Sequence, residues 1–252
     1  MLLSVIVPAY NEAERLAANL EKIRAAIAVQ GDFQNQWELI ICDNDSSVQT
    51  VSIAQVAGAS VVSESIRQIS RVRNTGAKAA KGQWLLFIDA DSYPSTALMA
   101  EVLSSIQSEK WIGCGSTVEV VEGNRWNKLR MERLNPLMRL FNWAGGAFLL
   151  CQKEAFEAIG GFSEELYALE EIDFIVRLRR YGKKQGRKFK VLHRHPVYTS
   201  GRKDALSLPA LVQLFFSNLL AIVFLLLHVI LPKGMRIKAK PNWLGFWYKQ
   251  RD

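Results

Sequence analysis

Four short apolar runs in the first part of the chain, "LLSVIVPAY", "WELIICDND", "ASVVSES" and "QWLLFIDAD", share one ending: Val- and Ile-rich sequence passes abruptly into polar or turn-forming residues. Runs of that length, bounded by breakers, read as buried strands. Between the first two, "EAERLAANLEKIRAAIAVQ" repeats Leu16, Leu20, Ile23 and Ile27 at helical spacing, and between the last two "SRVRNTGAKAAKG" also reads as a helix. Strand and helix in alternation predict an α/β fold with a mostly parallel sheet flanked by helices. In such sheets ligands bind outside the carboxyl ends of the strands. Asp43 and Asp89 both fall at such ends.

The chain has 252 residues, 49% of them hydrophobic, enough to bury a substantial core and too many for a disordered protein. Its three cysteines, Cys42, Cys114 and Cys151, stand singly, without the paired spacing of a zinc clasp or a disulfide framework. A reducing, cytosolic setting is the expectation. The opening "MLLSVIVPAYNE" lacks a basic leader and meets Pro8, Asn11 and Glu12 too early for a signal peptide, so it reads as the first strand. The net charge of +8 is unevenly spread, because residues 232–252 hold six Lys or Arg against one acid.

Two carboxylates close the fourth run. In an extended strand, side chains two apart project to the same side, so Asp89 and Asp91 can face one point. Paired anionic oxygens suit Mg²⁺ or Mn²⁺, which keep waters and complete their shell with substrate phosphates. A helix cap and a solvated turn are the competing roles, and for an isolated D-x-D they are the commoner ones. Here the first run also ends in Asn11 and Glu12 and the second in "CDNDSS", so three strand ends bring polar groups to one edge. Capping and Asx-turn roles stay open for Asn11 and for that second cluster. Arg71 and Arg73 could meet an anionic ligand, or belong to a basic solvated helix face. Farther on, Glu170, Glu171 and Asp173 open an apparent helix backed by Phe174, Leu178 and Tyr181, where acids are favoured by the helix dipole alone.

Taken in order, "SVIVPAYNEAERL", "CDNDSS", "RNTGAKAAKGQWLLFIDADS", "GGAFLLCQKEAFEAIGGFSEEL" and "EEIDFIVRLRR" resemble the family 2 glycosyltransferases over residues 1 to about 203. The resemblance implies a GT-A fold, which is Rossmann-like, and transfer of a sugar from a nucleotide-sugar donor such as a UDP- or GDP-sugar, with inversion. It implies that Pro8, Tyr10, Glu12 and Asp43 line the nucleotide pocket with Arg73 close by. Asp89 would contact the ribose or the metal, and Asp91 would hold a divalent cation, Mn²⁺ or Mg²⁺, on the diphosphate. The family's base is the Asp of a Glu-Asp pair; this chain has Glu170-Glu171, which points to Glu171 and leaves Glu170 as the alternative. His193 and His195 would approach from a late strand. Either is a candidate third metal ligand, most simply His195, although a structural histidine is the more common role.

Three segments are expected: a catalytic domain over 1–204, a hydrophobic membrane-associated helix over 205–231, and a basic aromatic tail over 232–252. Residues 210–231 contain no Lys, Arg, Asp or Glu and would extend about 33 Å as a helix. A nucleotide-sugar donor requires the catalytic domain in the cytosol, and the positive-inside rule sends the tail there too. A re-entrant or interfacial helix satisfies both, with Trp243, Phe246, Trp247 and Tyr248 as interfacial anchors. The expected place is the cytoplasmic face of the cell membrane, and the expected acceptor a lipid-linked or cell-envelope glycan. "RWNKLRMERLNPLMRLFNW" is a second candidate for surface contact, or an ordinary amphipathic helix over the acceptor cleft.

Other function classes fit less well. A nucleotidyltransferase that makes nucleotide sugars would need a glycine-rich phosphate loop near the start, which is absent. "GCGSTV" at Gly113 lacks the third glycine of a dinucleotide fingerprint. A non-catalytic glycan- or nucleotide-binding protein finds its only encouragement in Glu171. Nucleic acid is not an expected partner, because "GKKQGRKFK" is a lone basic patch without interleaved stacking aromatics.

Overall fold

A computed structural model of the chain describes residues 1–200 except 34, 47, 123, 124, 167 and 168. The hydrophobic segment expected over 205–231 and the tail over 232–252 lie outside the described residues. Among those described, no helix is long and apolar enough to cross a membrane.

The four expected strands form as β1 (Leu3–Ala9), β2 (Trp37–Asp43), β3 (Ser60–Ser63) and β4 (Trp84–Ile88), joined by α1 (Ala13–Ala28), α2 (Val48–Val56) and α3 (Ile69–Ala79). Then come β5 (Ser92–Tyr93), α4 (Thr96–Gln107), β6 (Trp111–Glu122), α5 (Arg125–Phe141), β7 (Phe148–Gln152), α6 (Lys153–Ala158), α7 (Glu170–Lys184) and β8 (Lys188–Ser200). All eight strands lie in one sheet of order β3-β2-β1-β4-β7-β6-β8-β5.

The sheet is mixed. β1 pairs in parallel with β2 and β4, and β2 with β3. β7 then runs antiparallel to both β4 and β6, while β5 lies antiparallel along β8. β6 and β8 pair in parallel, so the mostly parallel sheet expected from sequence keeps an unbroken parallel block over β3-β2-β1-β4 and becomes mixed beyond it, where β7 runs against both its neighbours. β5 follows β4 directly and two helices precede β8, so the one-strand, one-helix alternation that favours parallel crossovers is broken there.

Alternation along the central strands divides the core into two layers. Leu86 and Ile88 of β4, with Val5 and Val7 of β1, meet Leu16, Leu20, Ile23 and Ile27 of α1 and Leu98, Met99 and Val102 of α4. Leu85 and Phe87, with Ile6, meet Ala77 of α3, Phe156 of α6 and Phe174, Ile175 and Leu178 of α7. The four apolar α1 positions are fully buried, each contributing roughly 1.5–3 kcal/mol relative to exposure. Pro8 is tolerated in β1 because β4 pairs only as far as Ile6 opposite Phe87, beyond which no rung is lost on that side.

Candidate active site

The carboxyl ends of β1, β2 and β4 converge as expected, and loop-to-loop hydrogen bonds hold them in place. The Asn44 amide donates to the Ala9 carbonyl at 2.9 Å, the Asn11 amide to Ser46 Oγ at 3.1 Å, and the Glu64 amide to the Asp43 carbonyl at 2.8 Å. Asn11 and Asp45 adopt positive φ (50° and 61°), a conformation Asn and Asp accept more readily than bulkier residues. Glu12 caps α1 through its carbonyl, which receives the Arg15 and Leu16 amides at 3.1 and 2.9 Å, while its carboxylate makes no cap hydrogen bond. Tyr10 lies beneath the Arg67 guanidinium, 4.7 Å from ring centroid to carbon.

Asp43 is the informative residue on this side. It is 6% exposed, and its Oδ2 receives the Ser46 amide at 3.3 Å, whereas its Oδ1 is buried without a hydrogen-bond partner. A buried acceptor left open costs about 1–3 kcal/mol unless a ligand satisfies it. An N–H or O–H of a nucleoside is a chemically suitable donor.

The two acids of "DAD" do not share a direction by strand alternation, because β4 ends at Ile88, before either of them. Asp89 turns toward α3 and meets Arg73 Nη2 at 3.1 Å. Asp91, 6% exposed, accepts from Ser92 Oγ at 3.2 Å and Ser200 Oγ at 3.3 Å, and lines a cleft of about 300 Å³ with Asn19 and Lys22 of α1, Tyr93 and Ser200. Both carboxylates are hard oxygen donors of the kind Mg²⁺ and Mn²⁺ take. Among the described residues, no group of three His, Cys, Asp or Glu could hold a metal by itself. A cation at Asp91 would therefore complete its shell with substrate phosphate oxygens and water, the usual arrangement for Mg²⁺.

His195, expected as a third protein ligand, makes its contact elsewhere in this structure. It sits exposed on β8 with its Nε2 3.8 Å from Glu101 Oε1 of α4. Asp91 bonds instead with Ser200, five residues farther along the same strand, roughly 16 Å at the rise of an extended chain. His193 is likewise exposed on β8.

Arg73 occupies the centre of the arrangement, with its side chain only 4% exposed. One terminal nitrogen meets Asp89, as above, and the other donates to Glu170 Oε1 at 2.9 Å. Nη2 also reaches the Gly146 carbonyl at 3.3 Å, and the guanidinium lies 5.2 Å from the Phe162 ring. Burial alone would lower its pKa, but the carboxylates of Asp89 and Glu170 more than offset this and raise it. Rather than standing open beside a nucleotide, Arg73 ties the "DAD" turn to the start of α7. Gly146 is required there, because a Cβ would run into the guanidinium.

The start of α7 is set by Leu169, at φ 59° and ψ 18°, a left-handed conformation disfavoured for leucine and typical of strain held at functional sites. Glu170, 5% exposed, is committed to Arg73. Glu171 is half-buried beside it. Burial, and then the neighbouring charge of Glu170, push the Glu171 carboxyl up to about 8 against the opposing pull of Arg73. Of the pair, Glu170 is clamped by Arg73, while Glu171 holds its proton more firmly than an ordinary carboxyl. Asp173 serves α7 itself, accepting from Arg177 Nε at 2.7 Å.

Sequence reading missed three supports. Asn74 donates to the Phe162 carbonyl at 3.0 Å and accepts from the Phe162 amide at 2.9 Å; Arg177 Nη1 binds the Ile159 and Gly161 carbonyls, each at 2.8 Å; Ser200 buttresses Asp91. Only "GGF" carried a signal, with Gly160 and Gly161 at positive φ.

Comparison with known proteins follows the same outline. The family model described as glycosyl transferase family 2 matches residues 4–207. An uncharacterized glycosyltransferase of Haemophilus influenzae is 31% identical over 192 residues, covering 70% of this chain and 62% of the relative. A mouse dolichyl-phosphate beta-glucosyltransferase is 30% identical over 130 residues, covering 45% and 40%. The chain thus spans less than two thirds of these relatives' lengths. Among solved structures, the Pyrobaculum calidifontis mannosyltransferase PcManGT, in complex with GDP-Man and Mn²⁺, aligns with a TM-score of 0.61 at 18% identity, covering 81% of this chain and 58% of that one.

Proposed function

The chain belongs to glycosyl transferase family 2 and has a GT-A-like α/β fold, and from that premise we propose that it transfers a sugar from a UDP- or GDP-sugar to a hydroxyl group, with inversion, on a lipid-linked or cell-envelope acceptor at the cytoplasmic face of the membrane. The observation that supports this reading is the Asp89–Arg73–Glu170 bridge, which ties the turn after β4 to the start of α7, where Glu171 follows Glu170 with its carboxyl raised to about 8.

The donor's nucleoside lies against Pro8, Tyr10, Glu12 and Asp43, with the open Asp43 Oδ1 taking a hydrogen from it. Asp91 would hold a divalent cation, with Asp89 the second candidate ligand, and such a cation would supply stabilisation of the negative charge that develops on the departing diphosphate. Glu171 accepts the acceptor's hydroxyl proton as its oxygen bonds to the anomeric carbon, and the carbon–oxygen bond to the diphosphate breaks with its electron pair leaving on phosphate. One displacement inverts the centre. A carboxylate raised to about 8 is a stronger base, and its ionised fraction grows as pH rises toward that value; base catalysis of this kind contributes about 10² to 10⁴ in rate. The lipid-linked acceptor draws support from the dolichyl-phosphate relative and the long apolar run at 210–231.

The test is to incubate the purified full chain with UDP- and GDP-sugars and Mn²⁺ or Mg²⁺, and to follow release of nucleoside diphosphate with and without polyprenyl-phosphate and polyprenyl-diphosphate-sugar acceptors. Metal-dependent release that Glu171→Gln abolishes is expected. Release from neither donor class, or release indifferent to both Glu171→Gln and Asp91→Asn, overturns the reading.

A further inference from the structure

We infer that the C-terminal half of α5 is a lipid-contact surface that lays the rim of the site on an anionic bilayer. The helix divides into two faces. Met131 and Met138 pack inward, and Asn135 between them clamps β6, donating to the Val118 carbonyl at 2.9 Å and accepting its amide at 3.0 Å. Leu134, Leu137 and Leu140, at spacings of three, and Phe141 form an exposed apolar stripe beside that inward side, continued toward the N-terminus by Arg130 and Arg133, and they are 40%, 48%, 72% and 48% exposed. The other exposed large apolar residues among those described, Met1, Val29, Val56 and Ile66, stand singly at separate places along the chain, as is ordinary. A contiguous apolar stripe is different, since its solvation is unfavourable unless something covers it.

Charge selects the occupant. Within α5, Arg125, Lys128, Arg130, Arg133 and Arg139 stand against Glu132 alone. Apolar residues on one stripe with a strongly basic complement describe a helix lying in an anionic interface, its apolar side sunk roughly 5–10 Å. An acidic protein groove would match the charge but not four exposed leucine and phenylalanine side chains on one lateral face. Trp143, stacked on Phe141 with centroids 5.1 Å apart, adds an aromatic at the same end.

This end of α5 is joined directly to the site. The Phe141 carbonyl accepts from Arg179 of α7 at 2.9 Å, and Gly146, five residues on, is the residue whose carbonyl meets Arg73. A bilayer held at Leu137–Phe141 would therefore lie beside the helix that carries Glu170 and Glu171, where a membrane-borne acceptor must arrive. The purpose of this surface rests on the acceptor proposed above; lipid contact itself does not, and the experiment reads contact without turnover.

Full-length Leu140→Cys is labelled with an environment-sensitive fluorophore and compared with Val56→Cys, which is 90% exposed on α2 near the opposite edge of the sheet. Cys42, Cys114 and Cys151 are wholly buried, and desolvation pushes the first two thiols up to about 12, so the label goes to the introduced cysteine. With phosphatidylglycerol/phosphatidylcholine vesicles containing brominated lipid, the Leu140 probe shifts blue and is quenched severalfold more than the Val56 probe. Arg133→Glu reduces that quenching, and pure phosphatidylcholine supports less of it. Four results overturn the inference: no sedimentation with the vesicles, sedimentation with the two probes quenched alike, a Leu140 probe already shielded without lipid (the chain's own segment beyond 200 covering the stripe), or shielding that depends only on protein concentration (a second copy). Quenching undiminished on neutral vesicles removes the requirement for anionic lipid.

Discussion

Arg73 Nη1 lies 2.9 Å from Glu170 Oε1 with the two side chains 4% and 7% exposed, so the first turn of α7 is joined by a buried ion pair to a helix on the far side of the "DAD" turn. A pair taken this completely out of water contributes little net stability, but breaking it strands a charge.

Arg73→Met is therefore expected to destabilise the protein by about 3–5 kcal/mol, with much of the loss recovered in Arg73→Met/Glu170→Gln, because the double change removes both buried charges. Denaturant titration of the parent, Arg73→Met, Glu170→Gln and the double variant measures this. A double variant as unstable as the sum of the two single changes would mean that the ion pair is not the coupling.

Glu171→Gln is expected to lower turnover by roughly 10² to 10⁴ with little change in donor KM, since the carboxylate acts on the acceptor's proton rather than on the nucleotide. For the unsubstituted protein, kcat/KM should climb with pH toward about 8, where the Glu171 carboxyl ionises. A flat profile over that range argues for another base.

The same group gives a stability signature. Between its ordinary value of 4.5 and about 8, folded Glu171 keeps a proton that the unfolded chain has released. Stability then falls as pH rises through that window and levels off above it. Melting temperatures of parent and Glu171→Gln, compared across this range, should diverge in favour of the variant as pH increases; a constant difference contradicts the raised carboxyl.

Asp91→Asn should bring UDP or GDP affinity in Mn²⁺ down to the value seen with chelator, while the chelated affinity of parent and variant stays equal. Calorimetric titration distinguishes this from a general loss of the pocket, which Asp43→Asn would produce with and without metal.

Much of the first half of the fold was legible because β1, β2 and β4 are buried on both faces and so are written as unbroken apolar runs, and because α1 carries its buried face at a clean helical period. β6 was not legible: glycines at 113 and 115 interrupt it, since side chains there would strike β7 and Ala144. At the site, the residue types and their strand-end positions could be read, whereas their pairings could not. Nothing in "RVRNTG" says that Arg73 will turn inward, because a buried guanidinium is permitted only by Asp89 and Glu170, one of them 97 residues away in sequence. The geometry proposed for Asp89 and Asp91 failed for a local reason, the strand ending one residue before the first of them. Register along β8, which brings Ser200 rather than His195 to Asp91, was equally unreadable.

The reciprocal bonding of Asn74 with Phe162 gives a side-chain amide the role of an adjacent strand. Backbone amides in glycine turns ordinarily trade their hydrogen for deuterium quickly, because the turn opens on its own. Here the Phe162 amide can be released only when α3 itself parts from the turn, so its exchange should follow the slow core rather than the surrounding loop. The turn that faces Arg73 thus behaves as an inelastic part of the frame.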